Sequence, residues 1–223
     1  MSRALARPIT YLITGGETSS ATRPDSEEFR RLLALVRAAV RARVSAVQLR
    51  EKSLTGRALF ELAAAAAHVA RGSETRVLVN DRADIARAAG CDGVHLTTNS
   101  LEASSVRRAF GEGFLIGVSA HTLEEARAAA AGGADFAVFG PVFDTPSKRA
   151  YGPPVGLGLL KEVARELATF PLVALGGVGL DEVEEVLRAG AAGVAGIRLF
   201  ANGQNLAPTV HLIRRAYEAL RTL

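Results

Sequence analysis

Short apolar runs alternate with helical patterns along almost the whole chain. Eight of these runs are continuous in their apolar character, which is typical of strands in a parallel sheet covered on both faces. They lie near residues 9–13, 46–49, 77–79, 93–96, 114–118, 136–139, 172–175 and 193–197. The pattern therefore predicts eight β-strands that are buried on both sides.

Helical periodicity follows each of these runs. Asp25 or Ser26 can cap a first helix that extends to about Ala42, with acidic residues in its first turn. Further helices are predicted near 55–70, 83–89, 100–110, 122–131, 157–168, 180–189 and 208–220. Eight strands alternating with eight helices favour a closed (β/α)₈ TIM barrel of the α/β class. A Gly-x-Gly-x-x-Gly turn after the first strand would favour the competing open sheet, and the sequence has none there.

Length and composition favour one domain. The 223 residues contain no Ser/Pro-rich linker and no charge block, so we expect a single barrel domain over 1–223 with its core at about 9–200. The net charge of +4 is spread over helix faces where Arg alternates with Glu, which argues against a nucleic-acid surface. A mild positive bias suits phosphorylated small molecules as ligands. The sequence permits a homo-oligomer without specifying one.

The single cysteine and the short apolar runs indicate the cellular compartment. Cys91 excludes an internal disulfide and suits a reducing cytosol, and its place before a strand favours a small buried hydrophobe. The first residues lack the apolar segment of a signal peptide, and no run approaches the roughly 18 residues needed to span a bilayer. We expect a soluble, cytoplasmic protein with no membrane partner.

Polar or glycine-rich residues follow the apolar runs at their carboxyl ends. In a TIM barrel these ends meet on one face, and active sites lie there. Gln48, Arg50 and Lys52 alternate after the second run, so in an extended chain their side chains point the same way. An Arg fork and a mobile Lys charge suit a diphosphate. The alternative is a strand end with solvated charges.

The next three strand ends carry groups that can bind metal or transfer protons. Asn80 and Asp81 suit either Mg²⁺ or a helix cap. His95 could exchange protons inside the barrel, but a structural role is favoured for a strand histidine. Ser119 could reach a substrate at the start of a helix, while His121 or Thr122 caps that helix.

The last three strand ends suggest anion binding. Residues 140–148 include Thr145, Ser147 and Lys148 between prolines, which suits a lid over an anionic group; the alternative is a flexible surface loop. Gly177, with its neighbour Gly176, and the backbone at Ile197 follow the seventh and eighth runs. Loops at these positions of a barrel often hold phosphate on backbone N–H groups.

Together these segments resemble the thiamine phosphate synthase and TenI family, from about Tyr11 to Phe200. The most specific matches are Val-Gln-Leu-Arg-Glu-Lys at 47–52, Val-Asn-Asp at 79–81, Asp-Gly-Val-His-Leu at 92–96, Gly-Val-Ser-Ala-His-Thr at 117–122, Phe-Gly-Pro-Val-Phe at 139–143 with Thr-Pro-Ser-Lys at 145–148, and Ala-Leu-Gly-Gly-Val at 174–178. The resemblance implies an enzyme that joins hydroxymethylpyrimidine diphosphate to thiazole phosphate and releases diphosphate.

The resemblance also implies roles for individual residues. Gln48 would bind the pyrimidine and Asp81 would ligate Mg²⁺, while Ser119 would lie beside the departing group. The residues implied for the diphosphate are Arg50, Lys52, Asn80 and Lys148. Those implied for the thiazole phosphate are Thr145, Ser147, Gly177 and Ile197.

Two positions depart from the family pattern. Ser100, within Thr-Thr-Asn-Ser, stands where the family has the second Mg²⁺-binding acid of Gly-Gln-Glu-Asp, and Gly15 replaces an Asp after the first strand. The first change removes a charged ligand and puts the Mg²⁺ cofactor in question. It also keeps open the TenI branch, a metal-independent thiazole tautomerase in which His121 would be the acid-base group. A non-catalytic binding protein of the thiamine pathway is the third alternative.

Overall fold

Eight parallel strands close into a barrel in the computed structural model, which describes residues 4–145 and 153–222. Each strand pairs with the next one along the chain, and β8 pairs with β1. The strands are β1 (Ile9–Ile13), β2 (Ala46–Leu49), β3 (Arg76–Asn80), β4 (Gly93–Leu96), β5 (Leu115–Ala120), β6 (Phe136–Phe139), β7 (Leu172–Ala174) and β8 (Gly193–Gly196). The expected TIM barrel is confirmed.

Helices connect the strands and cover the outside of the barrel. Within the described ranges they are α1 (Glu27–Arg41), α2 (Gly56–Ala70), α3 (Ala83–Ala88), α4 (Ala103–Phe110), α5 (Leu123–Ala131), α6 (Gly156–Glu166), α7 (Val183–Arg188) and α8 (Leu206–Arg221), with a 3₁₀ turn at Arg198–Phe200. Three begin at hydroxyl caps, as their sequences predict. The side chains of Ser26, Thr55 and Thr122 accept hydrogen bonds from backbone N–H groups in the first turns of α1, α2 and α5.

Two predicted boundaries are wrong in ways that affect the site. Strand β5 extends to Ala120, so Ser119 lies within the strand and not at the start of a helix. Helix α4 begins at Ala103 and not at Ser100. The reason is local, because the Ser100 hydroxyl accepts a hydrogen bond of 2.7 Å from the Thr97 N–H and also donates to Asp81.

Side chains along each strand alternate between two cores. Outward residues such as Leu12 and Val47 pack against helix residues such as Val36. Inward residues such as Tyr11 and Leu78 form a second buried cluster inside the barrel. A polar side chain on an inward face has little access to water, so it needs a partner inside the barrel.

The amino ends of neighbouring strands are joined by a repeated side-chain contact. In three strand pairs, the side chain of the residue just before an even-numbered strand accepts a hydrogen bond. The donor is the backbone N–H of the second residue in the preceding odd-numbered strand. The three acceptor–donor pairs are Ser45 with Thr10 at 3.1 Å, Asp92 with Val77 at 2.8 Å, and Asp135 with Ile116 at 2.7 Å. Ala192 occupies the fourth equivalent position before β8, where it has no acceptor. These contacts fix the register of three strand pairs at the end opposite the candidate site.

The third contact includes a nearly buried ion pair. Arg107 of α4 donates to Asp135 at 2.9 Å, and the two side chains are 11% and 9% exposed. The same guanidinium donates to the backbone oxygens of Gly111, Gly133 and Phe114 at 2.7 to 3.1 Å. Arg107 therefore connects α4 with the beginnings of β5 and β6.

Two smaller expectations concern Cys91 and membrane spans. Cys91 is buried, and burial, with a smaller effect of Asp92, raises the pKa of its thiol to about 12. The burial confirms the interpretation of Cys91 as a small core residue, and a raised pKa disfavours the thiolate that a nucleophile needs. Among the described residues, no helix combines the length and apolar character needed to cross a membrane.

We expect Arg107→Met to lower the free energy of unfolding by roughly 3 kcal/mol, because it leaves the buried Asp135 carboxylate without its charged partner. Urea unfolding measures this change. Arg108→Met is the matched control, since Arg108 is the exposed neighbour on the same helix. An equal effect of the two substitutions would contradict the structural role of the Arg107–Asp135 pair.

Candidate active site

Polar side chains collect where the strands end. Gln48, Asn80, His95 and Ser119 lie at or near the carboxyl ends of β2, β3, β4 and β5, on the inward faces of these strands. Because the strands are parallel and the barrel is closed, these ends surround one opening. We call this opening, formed by these four residues and the loops that follow the strands, the barrel mouth.

Four polar groups inside the mouth form one continuous hydrogen-bonded row. Gln48 Nε2 donates to the Tyr11 hydroxyl at 3.0 Å, and the Tyr11 hydroxyl lies 3.2 Å from His95 Nδ1. On the other side of the imidazole, Nε2 lies 3.0 Å from Ser119 Oγ. We call Gln48, Tyr11, His95 and Ser119 the polar row. It links four strands and reaches from the barrel interior to the mouth.

Burial keeps the two rings of the polar row uncharged. It lowers the pKa of His95 to about 4, while nearby Asp81 raises that pKa and Arg50 lowers it further. Burial also raises the pKa of Tyr11 far above its usual value, although the hydrogen bond from Gln48 acts in the opposite direction. At neutral pH both rings are therefore neutral hydrogen-bonding groups.

Asp81 lies at a sharp turn directly after β3. Its φ angle is 60°, and its N–H donates to the His95 carbonyl oxygen at 2.9 Å. Its carboxylate accepts hydrogen bonds from the Asn80 amide at 2.7 Å, from the Thr97 hydroxyl at 3.2 Å and from the Ser100 hydroxyl. The alternative role of a cap for α3 is wrong, because that helix begins after Arg82 and has no side-chain cap.

The donors around Asp81 fit Mg²⁺ that is shared with a phosphate ligand. Mg²⁺ commonly binds proteins through one or two carboxylates and takes its other ligands from phosphate and water. Asp81 supplies one carboxylate, and Thr97 and Ser100 place neutral oxygens beside it. Throughout the described ranges, no three His, Cys, Asp or Glu side chains are grouped closely enough to hold a metal by themselves. This donor set leaves the further ligands of Mg²⁺ to a phosphate group or to water.

Two basic residues follow β2 at the mouth. The Arg50 N–H donates to the Thr14 hydroxyl at 2.8 Å, which joins the exits of β2 and β1, and its side chain is close enough to His95 to affect the pKa of that ring. Lys52 is exposed, two residues further along. The strand ends at Leu49, so the inward orientation expected for an extended chain holds for Gln48, while Arg50 and Lys52 lie in the loop.

Glu51 holds the loop between β1 and α1 against the mouth. Its carboxylate is buried and accepts hydrogen bonds from the Gly16 N–H at 3.1 Å, the Thr18 N–H at 3.3 Å and the Thr18 hydroxyl at 2.7 Å. The loop therefore begins next to Arg50.

The loop after β6 packs directly on the glycines after β7. Phe143 N–H donates to the Gly176 oxygen at 2.9 Å. Gly177 has a φ of 69°, and a Cβ there would lie 2.6 Å from Phe143 Cβ. A side chain at these positions would collide with the neighbouring loop, so the packing explains why glycine stands there. The sequence did not reveal this steric constraint. Thr145 is buried in this loop, whereas Ser147 and Lys148 lie outside the described residues.

The two remaining candidates lie at the edges of the mouth. Ile197 follows β8 directly and is 38% exposed. His121 follows β5 and is half-exposed; its Nδ1 lies 3.1 Å from Glu125, which also accepts a hydrogen bond from the His121 N–H. Ser119, two residues earlier, bonds with His95 instead. Thus His121 and Ser119 belong to separate hydrogen-bonded groups.

Residues 11–200 match the model of a protein family described as thiamine monophosphate synthase. The chain belongs to the thiamine monophosphate synthase family. A relative from Geobacter sulfurreducens is 51% identical over 166 residues, which cover 74% of this chain and 78% of that one. The thiamine-phosphate synthase of Anaeromyxobacter dehalogenans is 43% identical over 189 residues, covering 85% and 84%.

A solved structure of the same kind has the same barrel. The thiamine phosphate pyrophosphorylase from Pyrococcus furiosus is 26% identical to this chain, with a TM-score of 0.75 and coverage of 95% of this chain and 96% of that one. The family resemblance inferred from the six motifs is confirmed.

Two residues of this member of the thiamine monophosphate synthase family were not identified as candidates from the sequence. Tyr11 lies within an apolar run, where its ring is expected in the core and its hydroxyl gives no signal of a partner. Glu51 stands between Arg50 and Lys52 and looks like one more solvated charge. A signal existed for Tyr11, since a buried tyrosine hydroxyl usually has a hydrogen-bond partner.

His95 makes stability depend on pH in a way that can be measured. An unfolded histidine binds a proton near pH 6.5, but folded His95 does so only near pH 4, so the unfolded state holds more protons between these values. We therefore expect this group to weaken the fold by about 2 kcal/mol as pH falls from 7 to 4.5. His95→Gln should lose less stability over this interval than the unaltered protein.

Urea unfolding in metal-free buffer at both pH values measures this difference. His68→Gln on the exposed surface of α2 is the control and should keep the pH dependence of the unaltered protein. If His95→Gln keeps it as well, burial does not hold His95 neutral.

Proposed function

We propose that the protein is a thiamine-phosphate synthase, which joins hydroxymethylpyrimidine diphosphate to thiazole phosphate and releases diphosphate. Relatives that are 43% and 35% identical over 85% and 93% of this chain are named thiamine-phosphate synthases. The observation that carries the proposal is the meeting at one mouth of a cationic side chain, a carboxylate with oxygen neighbours, and the polar row. Such groups suit a diphosphate that leaves from the methylene carbon attached to a pyrimidine ring.

The diphosphate binds beside the ends of β2 and β3. Arg50 offers a fork of N–H donors suited to phosphate oxygens, and Lys52 adds a mobile charge from the same loop. Asn80 contributes through its amide, which already orients the Asp81 carboxylate. By the family resemblance, Lys148 completes this cationic set.

Asp81 is the residue that would hold Mg²⁺, with the Ser100 hydroxyl next to it. When bound, Mg²⁺ would neutralise the charge that develops on the departing diphosphate. The side chains of Asn80, Thr97 and Ser100 keep the Asp81 carboxylate directed at one place. Because Asp81 contributes a single carboxylate beside Thr97 and Ser100, we propose that the bound diphosphate would supply further oxygen ligands to Mg²⁺.

The pyrimidine lies over the polar row. The Gln48 amide binds the edge of the ring, and Ser119 contacts the substrate next to the bond that breaks. A ring held in this way can stabilise the positive charge that grows on its methylene carbon as diphosphate leaves. His121, paired with Glu125 nearby, is available for a proton transfer at the edge of the mouth.

The thiazole phosphate binds on the opposite side of the mouth. Thr145 and Ser147 supply hydroxyl groups from the loop after β6, while Gly177 and the backbone at Ile197 supply N–H groups after β7 and β8. The contact between the β6 and β7 loops supports a common phosphate pocket there.

Cys91, a single free thiol, fits a reducing cytosol, where we propose that the reaction takes place.

We expect the purified protein to form thiamine phosphate from both substrates and Mg²⁺, and Asp81→Asn to reduce kcat by at least about a hundredfold, because the departing charge loses its metal partner. A coupled assay of product formation measures this. Asp84→Asn, which removes an exposed carboxylate on the next helix, is the control and should stay active.

Other outcomes of this assay separate the alternatives. Conversion of the thiazole isomer that is lost in His121→Ala, without any thiamine phosphate, would favour the tautomerase. Ligand binding without turnover in either assay would favour a non-catalytic binding protein. Either of these two results would contradict the synthase proposal.

We expect Ser100→Asp to tighten Mg²⁺ binding in the presence of inorganic diphosphate by roughly tenfold, about 1.4 kcal/mol, because it restores a second carboxylate next to Asp81. Titration calorimetry measures the affinity. Ser104→Asp adds the same charge on the exposed face of α4 and should leave the affinity almost unchanged. Equal affinities for Ser100→Asp and the unaltered protein would place the metal away from Asp81.

A further inference from the structure

We propose that Tyr11 and His95 are positioning residues that transmit one hydrogen-bond direction through the polar row, from Gln48 to Ser119. In this arrangement Ser119 has its hydroxyl proton free for the substrate, and Gln48 keeps its carbonyl oxygen as an acceptor. The inference rests on the proposed function only where it assigns Gln48 and Ser119 to the pyrimidine substrate. The hydrogen-bond directions themselves follow from the four side chains.

The direction is set at the Gln48 end. The Gln48 Nε2 group can only donate, so the Tyr11 oxygen, 3.0 Å away, accepts its hydrogen bond. The Tyr11 proton is then left for the second partner that the described part of the chain gives this hydroxyl, His95 Nδ1 at 3.2 Å. Nδ1 is therefore an acceptor and carries no proton.

The imidazole transmits this direction to Ser119. A neutral imidazole has one N–H and one acceptor nitrogen, so a bare Nδ1 requires a proton on Nε2. That N–H donates to Ser119 Oγ at 3.0 Å. Ser119 accepts from His95, and within residues 4–145 and 153–222 its Oγ has no other hydrogen-bond partner, so its own proton can be donated at the mouth.

The opposite set of hydrogen-bond directions would change the groups that Gln48 and Ser119 offer to a substrate. If the Gln48 carbonyl oxygen faced Tyr11, it would accept from Tyr11, Tyr11 would accept from Nδ1–H, and Ser119 would donate to Nε2. Ser119 would then offer the substrate only lone pairs. The tautomer of His95 therefore reports which of the two states the row occupies.

The packing around His95 prevents the ring from leaving this arrangement. Tyr11 and Phe136 pack edge to face with ring centroids 5.4 Å apart, and the His95 centroid lies 5.7 Å from that of Tyr11. Gly117 provides the remaining space: a Cβ there would lie 2.9 Å from His95 Nδ1 and 2.5 Å from Phe136 Cζ. His95 is 3% exposed, so water does not replace either partner.

Nitrogen-15 NMR of the histidine ring in the protein without substrate tests the proposal directly. We expect a single His95 tautomer with the proton on Nε2. A proton on Nδ1, or an averaged signal from both tautomers, would overturn the proposal.

The substitution Gln48→Glu tests the cause of the direction. Carbon-13 NMR of the new carboxyl group identifies the pH at which it is ionised, and the His95 tautomer is read there. An ionised carboxylate can only accept, so Tyr11 must donate to it and must in turn accept from His95. We expect the His95 proton to move from Nε2 to Nδ1. An unchanged tautomer would show that Gln48 does not set the direction.

Tyr11→Phe removes the link between Gln48 and His95 while keeping the aromatic packing. We expect both tautomers to become populated and kcat for thiamine phosphate formation to fall roughly tenfold, about 1.4 kcal/mol of transition-state stabilisation, with KM for the pyrimidine substrate little changed. Tyr217→Phe, at a half-buried position of α8 outside the barrel, is the control and should change neither reading. A single Nε2 tautomer with undiminished kcat in Tyr11→Phe would overturn the proposal.

The two proposals fail in distinguishable ways. The tautomer readings need no substrate, so they stand or fall without any enzyme assay. The expected tautomers in a protein that forms no thiamine phosphate would contradict the proposed function alone. Full synthase activity with the opposite tautomer would contradict the inference about the polar row alone. If Tyr11→Phe does not fold, the unaltered protein and Gln48→Glu still decide the question.

Discussion

Pairing between β1 and β8 closes the barrel, and the contact of Tyr11 with His95 that makes the polar row continuous depends on that closure. Gln48 lies on β2, the strand paired with β1, whereas His95 of β4 can meet Tyr11 only because the strands curve around a common axis. In an open sheet, inward groups on β1 and β4 would be separated by the width of two strands. Closure thus converts residues 84 positions apart in the chain into direct hydrogen-bond partners.

The two ends of the barrel are built for different purposes. At the amino ends, Ser45, Asp92 and Asp135 use their side chains to hold backbone groups of neighbouring strands, so these polar atoms stabilise the fold. At the carboxyl ends, Asp81 is held by neutral groups and remains beside the opening. This division is the general arrangement of TIM barrels, in which stability and chemistry occupy opposite faces.

Removing polar groups from water inside the barrel costs free energy, and the polar row offsets this cost with hydrogen bonds between uncharged groups. An ionised group at this depth would require a full counter-ion, whereas neutral Tyr11 and His95 satisfy each other and their neighbours. A fully connected row of this kind is also stiff, since moving any member would leave another without a partner. The same stiffness suits a site that must hold a reactive ring in place.

The sequence by itself determined the barrel, most element boundaries and the family. Continuous apolar runs at regular spacing leave few alternatives to a parallel sheet with helices on its outside, and residues such as Gln48, Asp81 and Ser119 stand at strand ends that must share one face. Boundaries near Ser100 and Ser119 were less predictable, because there a side-chain hydrogen bond and a sheet neighbour decide where an element begins or ends.

Only the tertiary structure decided which groups are partners. Local periodicity describes the face on which Tyr11 or His95 lies, but not the residue that closure brings opposite to it. The same holds for Glu51, whose charge looks solvated until the β1 loop folds over it, and for Gly177, whose lack of a side chain is explained by Phe143. Hydrogen bonds and steric contacts act over a few ångströms in space, and the chain order specifies such distances only after the barrel has closed.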